Sequence, residues 1–432
     1  MSRFDSLNAW LHWQEGFHPR AIDLGLKRAA LVFQKLNPNC IKPVTITVAG
    51  TNGKGSCVAF LEAIYKAQGY KVGTYTSPHI LKYNERIKIN GVPVTDEIIC
   101  AAFERIDVAR ADTSLSYFEF GTLAALDIFT SAALDLQILE VGLGGRLDAV
   151  NIVDPDAAII TSIDIDHVDW LGETRDAIGR EKAGIFRKNI PAIVGDLEPP
   201  QSLLETAKEK QALLFCLNED FSYKKSPNAW SWCSSEESYA DLPLPVLKGE
   251  HQFRNASAAI LAVATLQKKL PITEKAICNG LKNAQLMGRF QLCEEEGIPV
   301  LLDVAHNPQA VKTLVEHLDE NFADKQIYAV FAMMKDKDIN SVIELIKDKI
   351  NNWFIAPLTN PRAATEEILL SCFHQQGISQ VSIGFENFTE TLKAAKQKAK
   401  KDDLILIFGS FFLVSEYLAD KEIFKGANHG NR

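Results

Sequence analysis

The chain lacks any run approaching the roughly 18 apolar residues of a membrane-spanning helix. Its opening segment, MSRFDSLNAWLHWQEGFHPR, is broken by charges and has no continuous apolar core of the kind a secretory leader carries. Neither insertion nor secretion is expected, and no membrane partner. A C-x-x-C pair is also missing. The eight cysteines (Cys40, Cys57, Cys100, Cys216, Cys233, Cys278, Cys293 and Cys372) are scattered, which fits reduced thiols in a cytoplasmic protein. There is no excess of positive charge either. With 46 Lys and Arg against 55 Asp and Glu, the net charge is −9, so no nucleic-acid partner is expected. An acidic substrate must then be met by local Lys and Arg clusters. What is present is an ordinary globular balance, 47% hydrophobic and 23% charged. The 432 residues imply two or three domains at about 100–200 residues each.

The most informative stretch is VTITVAGTNGKGS, residues 44–56. It reads as a buried strand, a glycine turn and the first turn of a helix whose apolar face carries Val58, Leu61, Ile64 and Tyr65. Gly50, Gly53 and Gly55 leave the backbone open, so that successive N–H groups can turn onto an anion while Lys54 adds charge. The helix dipole favours the same anion, at about 0.3–1 kcal/mol per contact. Lys54 and a metal must therefore supply much of the rest. The pattern departs from G-x-x-x-x-G-K-[ST], because Gly55 stands between Lys54 and the hydroxyl of Ser56. A glycine turn without a ligand is the alternative. The coincidence of strand, glycines, lysine and helix in that order favours nucleotide binding.

Along the chain, helices are expected up to about Asn39. The strand KVGTYT ends in Ser77, Pro78 and His79, where open α/β sheets place ligands. Asn90-Gly91 marks a hairpin, and Thr95 caps a helix. A helix over 118–130 precedes a strand over 136–141, whose Glu140 reads as either a functional acid at a strand end or an exposed carboxylate. The next strand runs into DIDHVDWLG, which puts Asp164, Asp166, His167 and Asp169 at the same edge and suggests a magnesium site. His167 is equally readable there as a hydrogen-bonded loop residue. In the helical segment RDAIGREKAGIF, Arg180, Glu181 and Lys182 read by default as a solvated face. PAIVG continues as a strand and SLLETAKEKQALL as a helix. Residues 218–245 read as short antiparallel strands or a long excursion, with no task assigned. A periodic helix begins near Asn255, and a domain boundary falls near MGRF. Repeated strand and helix units then form a second doubly wound α/β domain. The divisions are residues 1–287 and 288–432, and the tail KGANHGNR is expected to fray.

Taken together, GTNGKGS, TSPH, EVGLGGRLDA, DHVDWLG, GREKAGIF, GEHQFRNA and DVAHNP occur in an order that resembles the Mur ligase superfamily. Within it, the pattern is similar to the family of bacterial bifunctional dihydrofolate synthase/folylpolyglutamate synthases. The resemblance spans nearly the whole chain, residues 201–248 excepted. It implies a P-loop Mur-ligase-type ATPase domain that also binds pterin, followed by a smaller Rossmann-like glutamate-ligase domain. It implies ATP-dependent addition of L-glutamate to dihydropteroate and to reduced folates through an acyl phosphate. By the same resemblance Thr51, Asn52, Gly53, Lys54, Gly55 and Ser56 hold the triphosphate, and Asn255, Arg289 and Asp303 contact the nucleotide. Ser77, Glu140 and His167 match magnesium ligands, and Lys182 matches a lysine carboxylated by CO₂ that bridges a second Mg²⁺. Lys54, Lys182 and His306 are the catalytic candidates, although His306 also suits a structural role at a helix entry. Asp23, Leu24, Gly25 and Leu26, then Ser116, Tyr117, Phe118 and Glu119, then Leu147, Asp148 and Ala149, match the dihydropteroate pocket. Without the resemblance, Tyr117 and Phe118 read as core. A monomer is expected, and a monovalent cation requirement is left open. The alternatives are a monofunctional folylpolyglutamate synthase, another Mur-type amino-acid ligase, and a kinase or nucleotide-gated module. The short segment before Gly50 argues against a UDP-muramyl ligase.

Overall fold

A computed structural model describes residues 3–20, 22–38 and 42–429. Asn39, Cys40 and the end of the expected fraying tail lie outside these. The described cysteines are all free thiols. The chain divides into two compact units, Met1–Val246 with Gln252–Gln285, and Leu247–His251 with Leu286–Arg432.

The first unit contains strands β1 (Val44–Ala49), β2 (Val72–Tyr75), β3 (Ile87–Ile89), β4 (Val92–Pro93), β5 (Leu136–Glu140), β6 (Ala157–Ile160), β7 (Pro191–Val194) and β8 (Leu213–Cys216). They form one sheet in the order β4-β3-β2-β5-β1-β6-β7-β8. From β2 to β8 the pairings are parallel, and β3 and β4 add an antiparallel hairpin at one edge. A parallel strand covered on both faces must be apolar throughout, and β5 and β6 are buried at every position. β1 lies inside the sheet, with Val48 in register with Glu140 on one side and Ile159 on the other. The helix Lys54–Gln68 follows it and ends at Gly69, whose left-handed φ of +102° lets its N–H return to the carbonyl of Lys66. Fully burying a side chain such as Phe60, Leu61 or Ile64 of this helix contributes about 1.5–3 kcal/mol.

A separate antiparallel sheet in the order β11-β10-β9 comes from β9 (Phe221–Lys225), β10 (Ala229–Ser234) and β11 (Ser238–Pro243). Residues 218–245 are thus the short strands of one alternative and not an open excursion. Trp230 and Trp232 are buried in it.

The second unit contains β12 (Gln291–Glu295), β13 (Ile298–Asp303), β14 (Ile327–Phe331), β15 (Asn352–Ile355), β16 (Val381–Ser382) and β17 (Leu404–Phe408). The sheet order is β12-β13-β17-β14-β15-β16, parallel apart from β12. Phe331, Trp353, Phe373 and Phe408 pack edge to face and tilted in its core.

Three local expectations are corrected, and two elements are added. Leu213 and Leu214, read as the end of a helix, belong to β8 instead. The periodic helix starts at His251 rather than near Asn255. The helix Glu274–Asn283 and strand β12 were not anticipated. The last helix runs to His429, into the segment expected to fray. Among the described residues no helix is long and apolar enough to cross a membrane.

Candidate active site

Because β2, β5, β1 and β6 are neighbours and parallel, the segments that leave their C-terminal ends share one edge of the sheet. Those segments carry Ser77, Glu140, the glycine loop and residues 161–167. The loop is built against the last of these. Gly50 has φ +147°, and a Cβ on it would collide with the hydroxyl of Thr161. Thr51 N–H donates to the Ser162 carbonyl at 2.7 Å and Asn52 N–H to the Ser162 hydroxyl at 3.2 Å. The Thr161 hydroxyl donates to the Asn52 carbonyl at 2.6 Å. These bonds fix Thr51 and Asn52 and hand the chain to the helix at Gly53, with φ +87°. A Cβ on Gly53 would lie 2.6 Å from Asn255 Oδ1, so Asn255 is seated directly against the loop. Lys54, Gly55 and Ser56 form the first helical turn, where orphan N–H groups favour an anion.

Lys54 Nζ donates to the carbonyls of Gly50 at 2.9 Å and Thr51 at 3.1 Å. Lys182 Nζ also donates to Gly50, at 2.9 Å. The solvated-face reading of Lys182 is therefore overturned: the side chain is 5% exposed. Burial, and then the charge of Lys54, lower its amine to about 7, with Asp166 and Asp148 acting in the opposite direction. The helix Arg175–Lys182 is positioned by the glycine loop after β5. Arg146 N–H donates to the Glu181 carbonyl at 2.8 Å, and a Cβ on Gly145 would stand 2.8 Å from the carbonyl oxygen of Lys182.

Glu140 closes β5 and is buried rather than an exposed strand-end acid. Its Oε2 accepts the N–H of Ser77 at 3.1 Å. His167 lies on the exposed loop after β6 with φ +53°, at the N-cap of the short helix Val168–Leu171, and its Nε2 is 4.0 Å from Asp166 Oδ2.

The three segments that match the dihydropteroate pocket by resemblance converge in the same unit. Gly25 N–H donates to the Leu147 carbonyl at 3.1 Å. Arg28 Nη1 donates to Asp23 Oδ2 at 2.5 Å and Arg28 Nε to Glu119 Oε1 at 3.2 Å. Hydrogen bonding from His18, with help from Arg28, lowers the Asp23 carboxyl below its ordinary value. Leu24 and Leu26 are half-buried on either side of Gly25. Ser116 and Glu119 form a capping box at the start of the helix Tyr117–Ser131. The Phe118 ring rests on Gly142, where a Cβ would meet it at 2.5 Å. Tyr117 meets Tyr83 edge-on at 5.8 Å. The Asp148 carboxylate accepts N–H groups from Gly142, Leu143 and Val150 at 2.9–3.0 Å, and burial raises it to about 6. Ala149, also buried, opens the 3₁₀ turn Ala149–Ile152.

Arg289, Asp303 and His306 belong to the second unit and group there. Asp303 ends β13 and accepts the N–H groups of Phe290 at 3.0 Å and Ala305 at 2.8 Å; burial raises its carboxyl. The Arg289 guanidinium lies 5.1 Å over the Phe411 ring, and the His306 ring is 5.7 Å from the same phenyl group. His306 Nδ1 is 2.8 Å from the Val304 carbonyl.

Sequence reasoning missed Gln252 and Arg28. Gln252 Nε2 donates to the Ser56 hydroxyl at 3.2 Å, and its Oε1 accepts from Asn255. A Gln and an Asn three apart on an otherwise apolar helix face was the available signal. Arg28 carried none, since one arginine in a first helical turn is commonplace.

Residues 48–263 match the Mur ligase middle domain, and residues 288–411 match the Mur ligase glutamate ligase domain. The chain belongs to the Mur ligase family. The dihydrofolate synthase/folylpolyglutamate synthase of Escherichia coli (strain K12) is 42% identical to this ligase over 412 residues, covering 95% of this chain and 94% of that one. The structure of E. coli FolC in complex with DHPP and ADP is 41% identical with a TM-score of 0.91, covering 98% and 99% of the two chains. A bifunctional folylpolyglutamate synthase/dihydrofolate synthase with Mn, AMPPNP and L-glutamate bound is 40% identical with a TM-score of 0.88, over 97% and 98%. The ligase thus has the α/β architecture of two units and the family that its motif order implied.

Proposed function

We propose that this ligase uses ATP to join L-glutamate to dihydropteroate, giving dihydrofolate, and to reduced folates, lengthening their glutamate tails. The relatives about 40% identical over nearly the whole chain carry the names of enzymes of this bifunctional kind. The observation that carries the bifunctional reading over a monofunctional folylpolyglutamate synthase is the convergence of the acceptor segments. The Gly25–Leu147 hydrogen bond and the Arg28 bridge from Asp23 to Glu119 bring together the three stretches assigned to the pterin, in the unit that holds the phosphate loop.

A carboxylate is a poor electrophile, and its phosphorylation by ATP supplies a leaving group for attack by the glutamate amine. In this reading the N–H groups that open the helix at Gly53 to Ser56 and the Lys54 ammonium hold the triphosphate, Thr51 and Asn52 shape the loop around it through their bonds to Ser162, and Asn255, Arg289 and Asp303 contact the nucleotide. The loop fits such a ligand, because its glycines keep the helix N-terminus open and Lys54 lies beside it. The buried Glu140 carboxylate and the Ser77 hydroxyl are hard oxygen donors suited to magnesium, with His167 as a third ligand. Bound there, the metal would neutralise charge on the phosphates. Lys182, with its lowered amine, is suited to add CO₂ and lose a proton, becoming an anionic carbamate that can hold a second magnesium. His306 is assigned to proton movement at the attacking amine. We read the protein as a cytoplasmic monomer, with any monovalent cation effect measurable by exchanging potassium for choline.

The test is phosphate release with MgATP, L-glutamate and either dihydropteroate or tetrahydrofolate. Both acceptors should stimulate release. Stimulation by tetrahydrofolate alone leaves the monofunctional reading, and stimulation by neither rejects the assignment.

A further inference from the structure

Phe290 stands between two residues assigned above to the nucleotide: it follows Arg289 in the chain, and its N–H donates to Asp303 Oδ2 at 3.0 Å. Its backbone is in the left-handed region, φ +43°, which a bulky aromatic residue adopts only when its surroundings impose it. The surroundings are specific. The phenyl ring stacks on the imidazole of His317 with centroids 4.2 Å apart and planes 2° from parallel. The His251 ring meets it edge-on at 5.9 Å and 84°. Gly249, with φ +101°, allows the close approach, since a Cβ there would lie 2.7 Å from Phe290 Cε2. On the other side of Arg289, the Gly288 carbonyl accepts Val304 N–H at 3.1 Å, and Gly288 N–H donates to Gln291 Oε1 at 2.9 Å. Arg289 therefore projects from a short turn fixed at both ends. All of these residues lie in the second unit.

His317 sits mid-way along the helix Pro308–Asn321, among its buried residues. The Asn321 amide donates to its Nδ1 at 3.2 Å, which places the ring proton on Nε2. Burial and then Lys248 hold its pKa below the ordinary value, in keeping with a neutral ring used for packing.

We propose that His317 is a positioning residue for Arg289: its imidazole face fixes the Phe290 ring, and through it the strained backbone from which Arg289 reaches the nucleotide. This rests on the reading that Arg289 contacts ATP, so three variants are compared. His317→Ala, which removes the stacking face, should raise KM for ATP about tenfold, equivalent to about 1.4 kcal/mol. It should leave KM for L-glutamate and for dihydropteroate within twofold of wild type. His317→Phe, which keeps a flat ring, should restore KM for ATP. Arg289→Ala should raise KM for ATP at least as far as His317→Ala. Thermal unfolding of each variant accompanies the kinetics. If Arg289→Ala raises KM for ATP and His317→Ala does not, the positioning role is rejected and the nucleotide reading stands. If His317→Ala raises every KM together, or His317→Phe fails to rescue while folding normally, the role is rejected as well. If Arg289→Ala leaves KM for ATP unchanged, the nucleotide reading fails and the inference falls with it.

Discussion

Lys54 and Lys182 donate to the same backbone oxygen, the carbonyl of Gly50, each at 2.9 Å. Two ammonium groups on one acceptor repel, and the more buried of the two gives up its proton more readily. That is Lys182, whose amine is lowered to about 7. A neutral amine reacts with CO₂, whereas an ammonium does not. Lys182→Met should therefore abolish turnover with both acceptors while the fold survives. Phosphate release and circular dichroism on the same preparation check this, and activity within twofold of wild type would remove Lys182 from the mechanism.

The same residue sets a pH dependence of stability when CO₂ is excluded. Unfolded, the amine titrates at its ordinary 10.5; folded, it titrates near 7. Between these values the unfolded chain binds more protons, so this group makes stability rise with pH from about 7 to about 10.5 and level off beyond. The stability of wild type minus that of Lys182→Met, from urea unfolding at several pH values, should increase through that window. A flat difference would mean that the amine keeps an ordinary pKa in the fold.

Gly53→Ala places a Cβ 2.6 Å from Asn255 Oδ1 at a residue with φ +87°. The backbone alone costs roughly 1–2 kcal/mol for a non-glycine residue, and the collision displaces the loop or Asn255. Thermal unfolding should shift down, and KM for ATP should rise about tenfold or more, with KM for dihydropteroate little changed.

Arg28→Ala leaves Glu119, 3% exposed, without its guanidinium and unties Asp23 from the helix Tyr117–Ser131. Uncompensated buried polar groups cost about 1–3 kcal/mol. The expected outcome is a raised KM for dihydropteroate with KM for ATP unchanged, read from initial rates with each substrate varied in turn.

The parallel strands β1, β2, β5, β6 and β7 were legible because each is a short, mostly apolar run bounded by glycines or polar residues, and the edge they share places Ser77, Glu140 and the phosphate loop together from the sequence alone. The helix Glu274–Asn283 was not legible, since Asn279 and Gly280 in its middle read as a break. Gly280 is there for packing: a Cβ would collide with Ile64 of the helix Lys54–Gln68, so close helix contact overrides propensity. Strand β8 was hidden by Leu213 and Leu214, which continue the preceding helical period. The burial of Lys182 could not be read from a sequence in which Arg180 and Glu181 precede it. Its surroundings are supplied by Gly50 and Gly145, distant in the chain.

The polypeptide passes between the two units after Val246, after His251 and after Gln285, so neither unit is one unbroken stretch of gene. A stop codon or protease cut near residue 246 leaves a phosphate loop without Asn255 and without the helix that closes on Ile64. No single cut therefore leaves both units whole: even one after Gln285, which spares the first, takes residues 247–251 from the second. A split or permuted version must keep residues 252–285 with the first half, and a nonsense mutation between residues 247 and 285 truncates the first unit as well as the second.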